Sequence, residues 1–372
     1  MLKCLSTVKS VLAVGVIFVL IGCSDDDSNS NDISPESDLA YEGYNYRSHF
    51  IDVSDDVRVH YLDEGEGDPI LMIHGVPTSA YLWRDVIPHL LDNGRVIAVD
   101  LVNFGKSSKV QRYELSDQVA FLTSFVDQLE LNNVKLVLHD YGGPVGLSYA
   151  AKNPHRVSGL ALFETAFAPF PSADALPPSI PIARLLSTGG RELATETDFW
   201  IGTVMANNQF NDQSEPAFDE KFVIKNITEV AYQEYLSPFQ TVEDREVLFQ
   251  FAFSIGFLDQ PGPVLDDWLQ LAQYASETAI PKLVLFGNPG LVPADFAPID
   301  PATGEPFSDP TNGNLLTTRN IVQSRVLPDF GGWRVPATVV DLSSETKHFF
   351  QEDAPEELGA ILSDWLAQNF DQ

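Results

Sequence analysis

An aspartate at the end of a short apolar run is the part of this chain best suited to chemistry. Residues 134–138 read as a buried strand, and they lead through Asp140 into a glycine pair. A strand, a sharp turn and a helix would raise the Asp140 side chain above the edge of a sheet, as in a nucleophile elbow. A carboxylate needs no base to displace a leaving group at a saturated carbon, and it forms an ester that water can break. Serine, the usual residue at such turns, would leave an inert ether, so Asp140 favours alkyl transfer.

Hydrolysis of an aspartyl ester needs a base, an acid that orients the base, and an oxyanion hole. Among the seven histidines, His348 is the best base, because it follows the last predicted strand and precedes the last predicted helix. Glu164 is the best orienting acid, because it ends the predicted strand 157–163 beside the elbow strand. The strand after that one is followed by no acid until Asp295.

The oxyanion hole is expected to use two backbone N–H groups. One belongs to Tyr141, directly after the nucleophile. The other belongs to Val76, in the His-Gly-Val-Pro loop that follows the predicted strand 70–74. Outside the proposed triad, no group of His, Asp and Glu has the spacing of metal ligands. We therefore expect neither a metal ion nor a cofactor.

Strands and helices alternate along most of the chain, which predicts an α/β sandwich with right-handed crossovers. Most predicted strands are continuously apolar, as in a parallel sheet buried on both faces: 57–62, 70–74, 96–101, 134–138, 157–163, 282–286 and 337–342. The predicted helices between them are 81–91, 117–129, 143–153 and 355–369. The stretch between 163 and 282 contains only helical patterns, at 218–227, 230–236 and 264–274, and reads as an inserted lid.

The composition of the chain restricts its partners. The 372 residues carry a formal net charge of −31, which argues against nucleic-acid binding. The two cysteines, Cys4 and Cys23, lie near the N-terminus, so the remaining chain can form no internal disulfide. The segment 288–336, rich in Pro, Gly and Asp, is long for a connection and is either functional or mobile.

The N-terminal segment reads as a targeting sequence. Its apolar run, 11–21, is about half of the ~20 residues that a membrane-spanning helix needs. The run ends in Leu-Ile-Gly-Cys, which resembles a bacterial lipoprotein cleavage box with Cys23 as the lipid-bearing residue. An uncleaved anchor or a plain secretion signal are the alternatives. We expect a protein anchored to the lipid bilayer of a bacterial cell envelope, at the periplasmic face of the outer membrane.

These patterns divide the chain into five segments. From the N-terminus, they are a signal peptide at 1–22, an acidic tether at 23–38, the first part of the core at 39–164, a helical cap at 165–280, and the second part of the core at 281–372.

From about Tyr41 onward the chain resembles the haloalkane dehalogenases of the α/β-hydrolase superfamily. The resemblance is carried by residues 74–84, 100–107 and 348–359, together with the elbow at Asp140. It implies the α/β-hydrolase fold, a doubly wound and mostly parallel sheet with an inserted helical cap. It also implies a small apolar substrate that is cleaved with water.

The resemblance weakens at the leaving-group site, where the family holds a halide with two side-chain N–H donors. Tyr141 stands where the family usually has tryptophan, and Val76 where it often has asparagine. Ala252 stands where a lid proline usually lines the halide site. One branch of the family takes a donor from a cap tryptophan, which makes Trp200 a candidate beside Tyr141.

Three functions remain open from the sequence. The first is hydrolysis of a carbon–halogen bond through an ester on Asp140. The second is epoxide hydrolysis, or hydrolysis of another small molecule, by the same triad. Epoxide opening would need phenols from the lid, and the candidates are Tyr232, Tyr235 and Tyr274. The third is a surface lipoprotein that only binds a ligand, and the complete triad argues against it.

Overall fold

A central sheet organises the chain. The computed structural model describes residues 39–111, 113–176, 180–210, 221–291 and 334–370. The strands in this part are β1 His49–Ser54, β2 Val57–Glu64, β3 Pro69–Ile73, β4 Arg95–Val99, β5 Val134–His139, β6 Val157–Phe163, β7 Lys282–Pro289 and β8 Thr338–Thr346. They form one sheet in the order β1-β2-β4-β3-β5-β6-β7-β8. The pairs β1–β2 and β2–β4 are antiparallel, and all later pairs are parallel.

The apolar pattern of the strands explains this order. Every residue of β3 and β5 is buried, because these central strands are covered on both faces. The edge strand β1 instead alternates between more and less exposed positions. β1 therefore has no continuous apolar run that would predict it from the sequence. The predicted α/β-hydrolase sheet is confirmed.

Helices flank the sheet and fill the stretch between β6 and β7. They are α1 Leu115–Gln128, α2 Gly142–Lys152, α3 Pro181–Leu185, α4 Gly190–Glu196, α5 Glu229–Leu236, α6 Val242–Gln250, α7 Pro263–Glu277, α8 Phe350–Asp353 and α9 Pro355–Asn369. A π-helix, Phe199–Met205, and a 3₁₀ turn, Phe251–Ser254, also lie between β6 and β7.

Two predicted helices are wrong. In place of a helix over 81–91 the chain makes two short 3₁₀ turns, Ala80–Trp83 and Ile87–His89. Pro88 explains the break, because it lacks an N–H and its ring excludes the preceding helical turn. Of the predicted helix 218–227, residues 221–227 are not helical, and 218–220 lie outside the described residues.

The helical segment between β6 and β7 contacts the loops that follow the parallel strands. Phe251 packs on Tyr141 with 5.9 Å between ring centroids. The carbonyl of Phe222 accepts the backbone N–H of His348 at 3.0 Å. This segment therefore caps the carboxyl edge of the sheet, where the site residues were expected.

Several predictions concern residues outside the described part of the chain. They include the signal peptide at 1–22, the tether at 23–38 with Cys23, and all but the ends of the segment 288–336. Within the described ranges, no helix combines the length and the apolar character needed to cross a membrane.

Candidate active site

The turn at Asp140 places a carboxylate above the sheet. Asp140 lies between β5 and α2 and has a φ of 50°, in the left-handed region that few side chains adopt. A Cβ at Gly142 would collide with the carbonyl oxygen of Ile73, and one at Gly143 would collide with the hydroxyl of Thr165. The Thr165 hydroxyl donates to the Asp140 carbonyl at 2.6 Å. The glycine pair therefore allows a tight turn that neighbouring strands hold in place.

Both predicted N–H groups of the oxyanion hole meet the Asp140 carboxylate. The N–H of Val76 donates to Oδ1 at 2.8 Å. The N–H of Tyr141 also bonds the carboxylate and lowers its pKa. A Cβ at Gly75 would collide with Oδ1, so glycine is needed for this close approach. Both N–H groups therefore stabilise negative charge on this carboxylate.

His348 lies between the two predicted carboxylates. Its Nε2 is 3.4 Å from Oδ2 of Asp140, and its Nδ1 is 3.2 Å from Oε2 of Glu164. Glu164 follows β6 directly, with a φ of 48° and a buried side chain. The backbone N–H of Leu291 donates to the same carboxylate at 3.1 Å. The structure therefore brings the three residues together in the order nucleophile, base and orienting acid. The competing Asp295 lies outside the described residues.

The backbone around His348 is held from two sides. Nε2 of His139 bonds the His348 carbonyl at 2.9 Å. Burial, followed by the charge of His348, lowers the pKa of His139 to about 3. His139 is therefore a neutral hydrogen-bond donor with a structural role. On the other side, Oδ2 of Asp353 accepts the N–H of Lys347 at 2.9 Å.

The nucleophile and the base control each other's ionisation. Burial lowers the pKa of His348, but its hydrogen bonds to Asp140 and Glu164 outweigh burial and raise the pKa to about 9. Burial raises the pKa of Asp140, but the hydrogen bond and charge of His348 bring it below its ordinary value. At pH 7 the resting site therefore holds a charged carboxylate beside a protonated imidazole. Once Asp140 is esterified its charge is gone, and His348 can release its proton and act as a base.

The Asp140→Asn substitution is expected to lower the pKa of His348 from about 9, because the amide keeps the shape of the side chain and removes its charge. A raised pKa stabilises the fold below the ordinary value of 6.5, and this stabilisation is lost as the pH rises towards 9. The variant should therefore lose less stability than the wild type between these two pH values. Histidine ¹H–¹⁵N spectra and thermal unfolding measure the two effects. An unchanged pKa would show that Asp140 does not control His348.

The two predicted leaving-group residues differ in whether their hydrogen-bond donors already have a partner. Tyr141 is buried, and its hydroxyl has no hydrogen-bond partner among the described residues. The indole N–H of Trp200 donates to the carbonyl of Leu248 at 3.1 Å. This bond occupies the N–H, so the structure does not present Trp200 as a halide donor. Its ring packs on Phe251, which also packs on Tyr141.

Two of the three lid tyrosines proposed for epoxide opening donate to carboxylates away from Asp140. The hydroxyl of Tyr232 donates to Asp198 at 2.6 Å. The hydroxyl of Tyr235 donates to Glu352, which also binds Arg84 in a buried ion pair. The pKa of Tyr274 is raised by burial, without a contribution from Asp140. Tyr232 and Tyr235 are therefore committed to other partners.

Sequence reasoning missed Tyr113, which the fold places beside Tyr141. Their ring centroids are 5.8 Å apart. Tyr113 precedes α1 in a loop without a recognisable motif, so only the packing of the chain brings it to the site. Within the described part of the chain, no group of three or more His, Cys, Asp or Glu could bind a metal ion.

Comparison with known proteins identifies relatives of this chain. Residues 68–189 match the family model of the α/β hydrolase fold. The chain is 30% identical over 314 residues to a haloalkane dehalogenase from Sphingobium indicum, covering 82% of this chain and 90% of the relative. It is 27% identical over 314 residues to one from Agrobacterium fabrum, covering 84% and 89%.

A solved structure gives the same result. The crystal structure of the haloalkane dehalogenase DatA from Agrobacterium tumefaciens C58 matches 87% of this chain and 97% of its own, with a TM-score of 0.67 and 25% identity. The sheet, the cap and the relationship in sequence lead to one assignment. The chain belongs to the haloalkane dehalogenase family of the α/β-hydrolase superfamily.

Proposed function

We propose that this protein hydrolyses the carbon–halogen bond of small apolar haloalkanes through an ester on Asp140. The observation that carries the proposal is the division of labour between the two carboxylate oxygens. Oδ1 accepts the N–H of Val76 at 2.8 Å, while Oδ2 lies 3.4 Å from Nε2 of His348. Oδ1 is thus placed to carry negative charge in the oxyanion. Oδ2 is placed to attack the carbon, and His348 lies beside it for the later hydrolysis of the ester. The relatives named above are haloalkane dehalogenases, which supports the same chemistry.

In the first step, Oδ2 of Asp140 attacks the carbon opposite the halogen. A carbon–oxygen bond forms, the carbon–halogen bond breaks, and the electron pair leaves with the halide. No proton moves in this step. The result is a neutral alkyl ester of Asp140 and a free halide ion.

In the second step, His348 first loses its proton to solvent, and its Nε2 then takes a proton from water while the hydroxide attacks Cγ of Asp140. Negative charge collects on Oδ1, where the N–H groups of Val76 and Tyr141 stabilise it. The bond between Cγ and Oδ2 then breaks, and the alcohol leaves with a proton from His348. The new carboxyl group of Asp140 passes its proton to His348, which restores the resting site. Glu164 keeps the imidazole oriented and stabilises its positive charge.

The proposal is tested with purified protein and a panel of short bromo- and iodoalkanes. We expect halide release, and diol formation from styrene oxide under the same conditions tests the alternative reaction. In a single turnover in ¹⁸O-water, the alcohol should carry ¹⁶O from Asp140 and the carboxylate should gain ¹⁸O. Absence of halide release across the panel would rule out the proposed function.

The N-terminal pattern supports a second proposal, which concerns location. We propose that acylation of Cys23 anchors the enzyme in the lipid bilayer, at the periplasmic face of the outer membrane. Acyl chains on one cysteine would give stable binding, because each buried CH₂ contributes about 0.8 kcal/mol. The acidic tether at 23–38 would then separate the hydrolase from the membrane surface.

Substitution of Cys23 tests the anchor in bacterial cells. The Cys23→Ala variant is expected to lose incorporation of labelled palmitate and to leave the membrane fraction. The Cys4→Ala variant is the matched control and should behave like the wild type, because Cys4 lies inside the predicted signal peptide. A Cys23→Ala protein that is still acylated would contradict the proposal.

A further inference from the structure

We propose that Tyr113 and Tyr141 together bind the departing halide through their two phenol O–H groups. The inference rests on the proposed function and assigns its leaving-group site. Tyr141 follows the nucleophile directly, and Tyr113 lies in the loop before α1. Their rings are tilted by 37° with centroids 5.8 Å apart, and each residue is 4% exposed. The two phenols thus form a buried pair next to Asp140.

Among the described residues, neither hydroxyl of this pair completes a hydrogen bond. The two phenols are nevertheless close enough for each to influence the pKa of the other. Buried polar groups are nearly always bonded, and an unsatisfied one costs about 1–3 kcal/mol. The hydroxyl of Ser254 also influences Tyr141, although it does not complete a hydrogen bond in the present arrangement. An anion among these hydroxyls would satisfy both phenol donors.

The field of Asp140 distinguishes this pair from other buried tyrosines. The hydroxyl of Tyr149 on α2 is also buried and unpartnered in the described structure. Burial raises the pKa of Tyr149 to about 12, and the charges that act on it are those of Arg156 and Asp127. The pKa values of Tyr113 and Tyr141 are raised by burial first, and the charge of Asp140 contributes to both. Both phenols therefore stay protonated and remain donors at working pH.

The charge of the site changes in a way that suits a transient anion. Before reaction, the carboxylate of Asp140 disfavours a halide beside it. When the carbon–oxygen bond forms and the carbon–halogen bond breaks, that negative charge passes to the halide. The phenol dipoles and the protonated His348 then face an anion next to a neutral ester. The phenols donate hydrogen bonds and transfer no proton, so their contact is strongest as the halide leaves.

Loss of one phenol should therefore slow one step selectively. We expect Tyr113→Phe and Tyr141→Phe each to slow formation of the alkyl ester about tenfold to a hundredfold, the loss expected for one hydrogen bond to a charged group. Hydrolysis of the ester takes place after the halide has formed, so its rate should stay close to the wild-type rate. Inhibition by added bromide should weaken by a similar factor. A purely structural role would not separate the two steps in this way.

Rapid-quench measurement of halide and alcohol on the wild type, the two variants and the Tyr149→Phe control tests the inference. Tyr149→Phe should leave both steps and bromide inhibition unchanged. If the wild type releases halide and Tyr113→Phe behaves like the control, the inference is wrong while the proposed function stands. If the wild type releases no halide, the proposed function fails, and bromide binding to the same proteins still decides whether the anion site exists.

A measurement on the unsubstituted protein covers the case of a variant that does not fold. In ¹³Cζ-tyrosine NMR spectra, titration with bromide is expected to shift the signals of Tyr113 and Tyr141. The signal of Tyr149 should not move. Equal shifts at all three tyrosines, or none, would overturn the inference.

Discussion

The Asp140→Ala variant is expected to release no halide, with turnover reduced at least ~10⁴-fold, as when a nucleophile is removed from other hydrolases. The reason lies in the backbone around it. The N–H groups of Val76 and Tyr141 converge on this carboxylate. The other nearby carboxylate, Glu164, is buried behind His348 and bonded to Nδ1 and to the N–H of Leu291. It therefore cannot replace the missing nucleophile.

Halide release is measured by ion chromatography, and thermal unfolding checks that the variant is folded. Asp52→Ala serves as a control, because Asp52 is an exposed carboxylate on β1. Multiple turnovers by Asp140→Ala would show that the halide is displaced directly by water, without an ester intermediate.

The second large effect is expected for His348→Phe. Alkylation uses the Asp140 carboxylate as the nucleophile and needs no base, so this variant should release about one halide per active site and then stop. Hydrolysis of the ester should fall by about 10²–10⁴-fold, the usual contribution of a general base. The alkylated enzyme should then accumulate, and mass spectrometry should find the alkyl group on the peptide that contains Asp140.

The adduct also separates the two reactions considered from the sequence. A haloalkane would add an alkyl group, whereas an epoxide would add a hydroxyalkyl group. As a matched variant, Glu164→Gln should slow the same hydrolysis step by a smaller factor, because it removes the negative charge that stabilises the protonated base but keeps the imidazole and a hydrogen-bond acceptor beside it. Continued turnover in His348→Phe, without an adduct, would contradict the assigned role of this histidine.

The geometry of the triad was accessible from the sequence because each member is tied to the end of a strand. Asp140 follows β5, Glu164 follows β6, and His348 lies just after β8. Neighbouring parallel strands bring their carboxyl ends to the same edge, so local patterns were enough to predict that these side chains meet.

The leaving-group residues were harder to predict, because they depend on packing between distant segments. Trp200 is a reasonable donor by residue type, but the fold turns its N–H to a carbonyl on α6. Tyr113 has no marked position in the sequence and reaches the site only through the loop before α1. No local pattern reports either fact.

The contrast between local pattern and tertiary packing also explains which secondary-structure elements could be predicted. The buried strands were found through their apolar runs, whereas β1 alternates in exposure and was missed. The short cap helices α3 and α4 were missed as well, because helices of one or two turns depend on tertiary packing for their stability. The predicted helix 81–91 failed at Pro88.

The hydrogen bonds between the cap and the histidine loop have a consequence for engineering. The carbonyl of Phe222 accepts the N–H groups of His348 and Phe349, while Asp353 accepts those of Ile224 and Lys225. The cap therefore helps to position the imidazole of His348 as well as covering the site. A chimera that carries a relative's cap would hold the base in a different position, and its rate of ester hydrolysis would change even where its first chemical step did not.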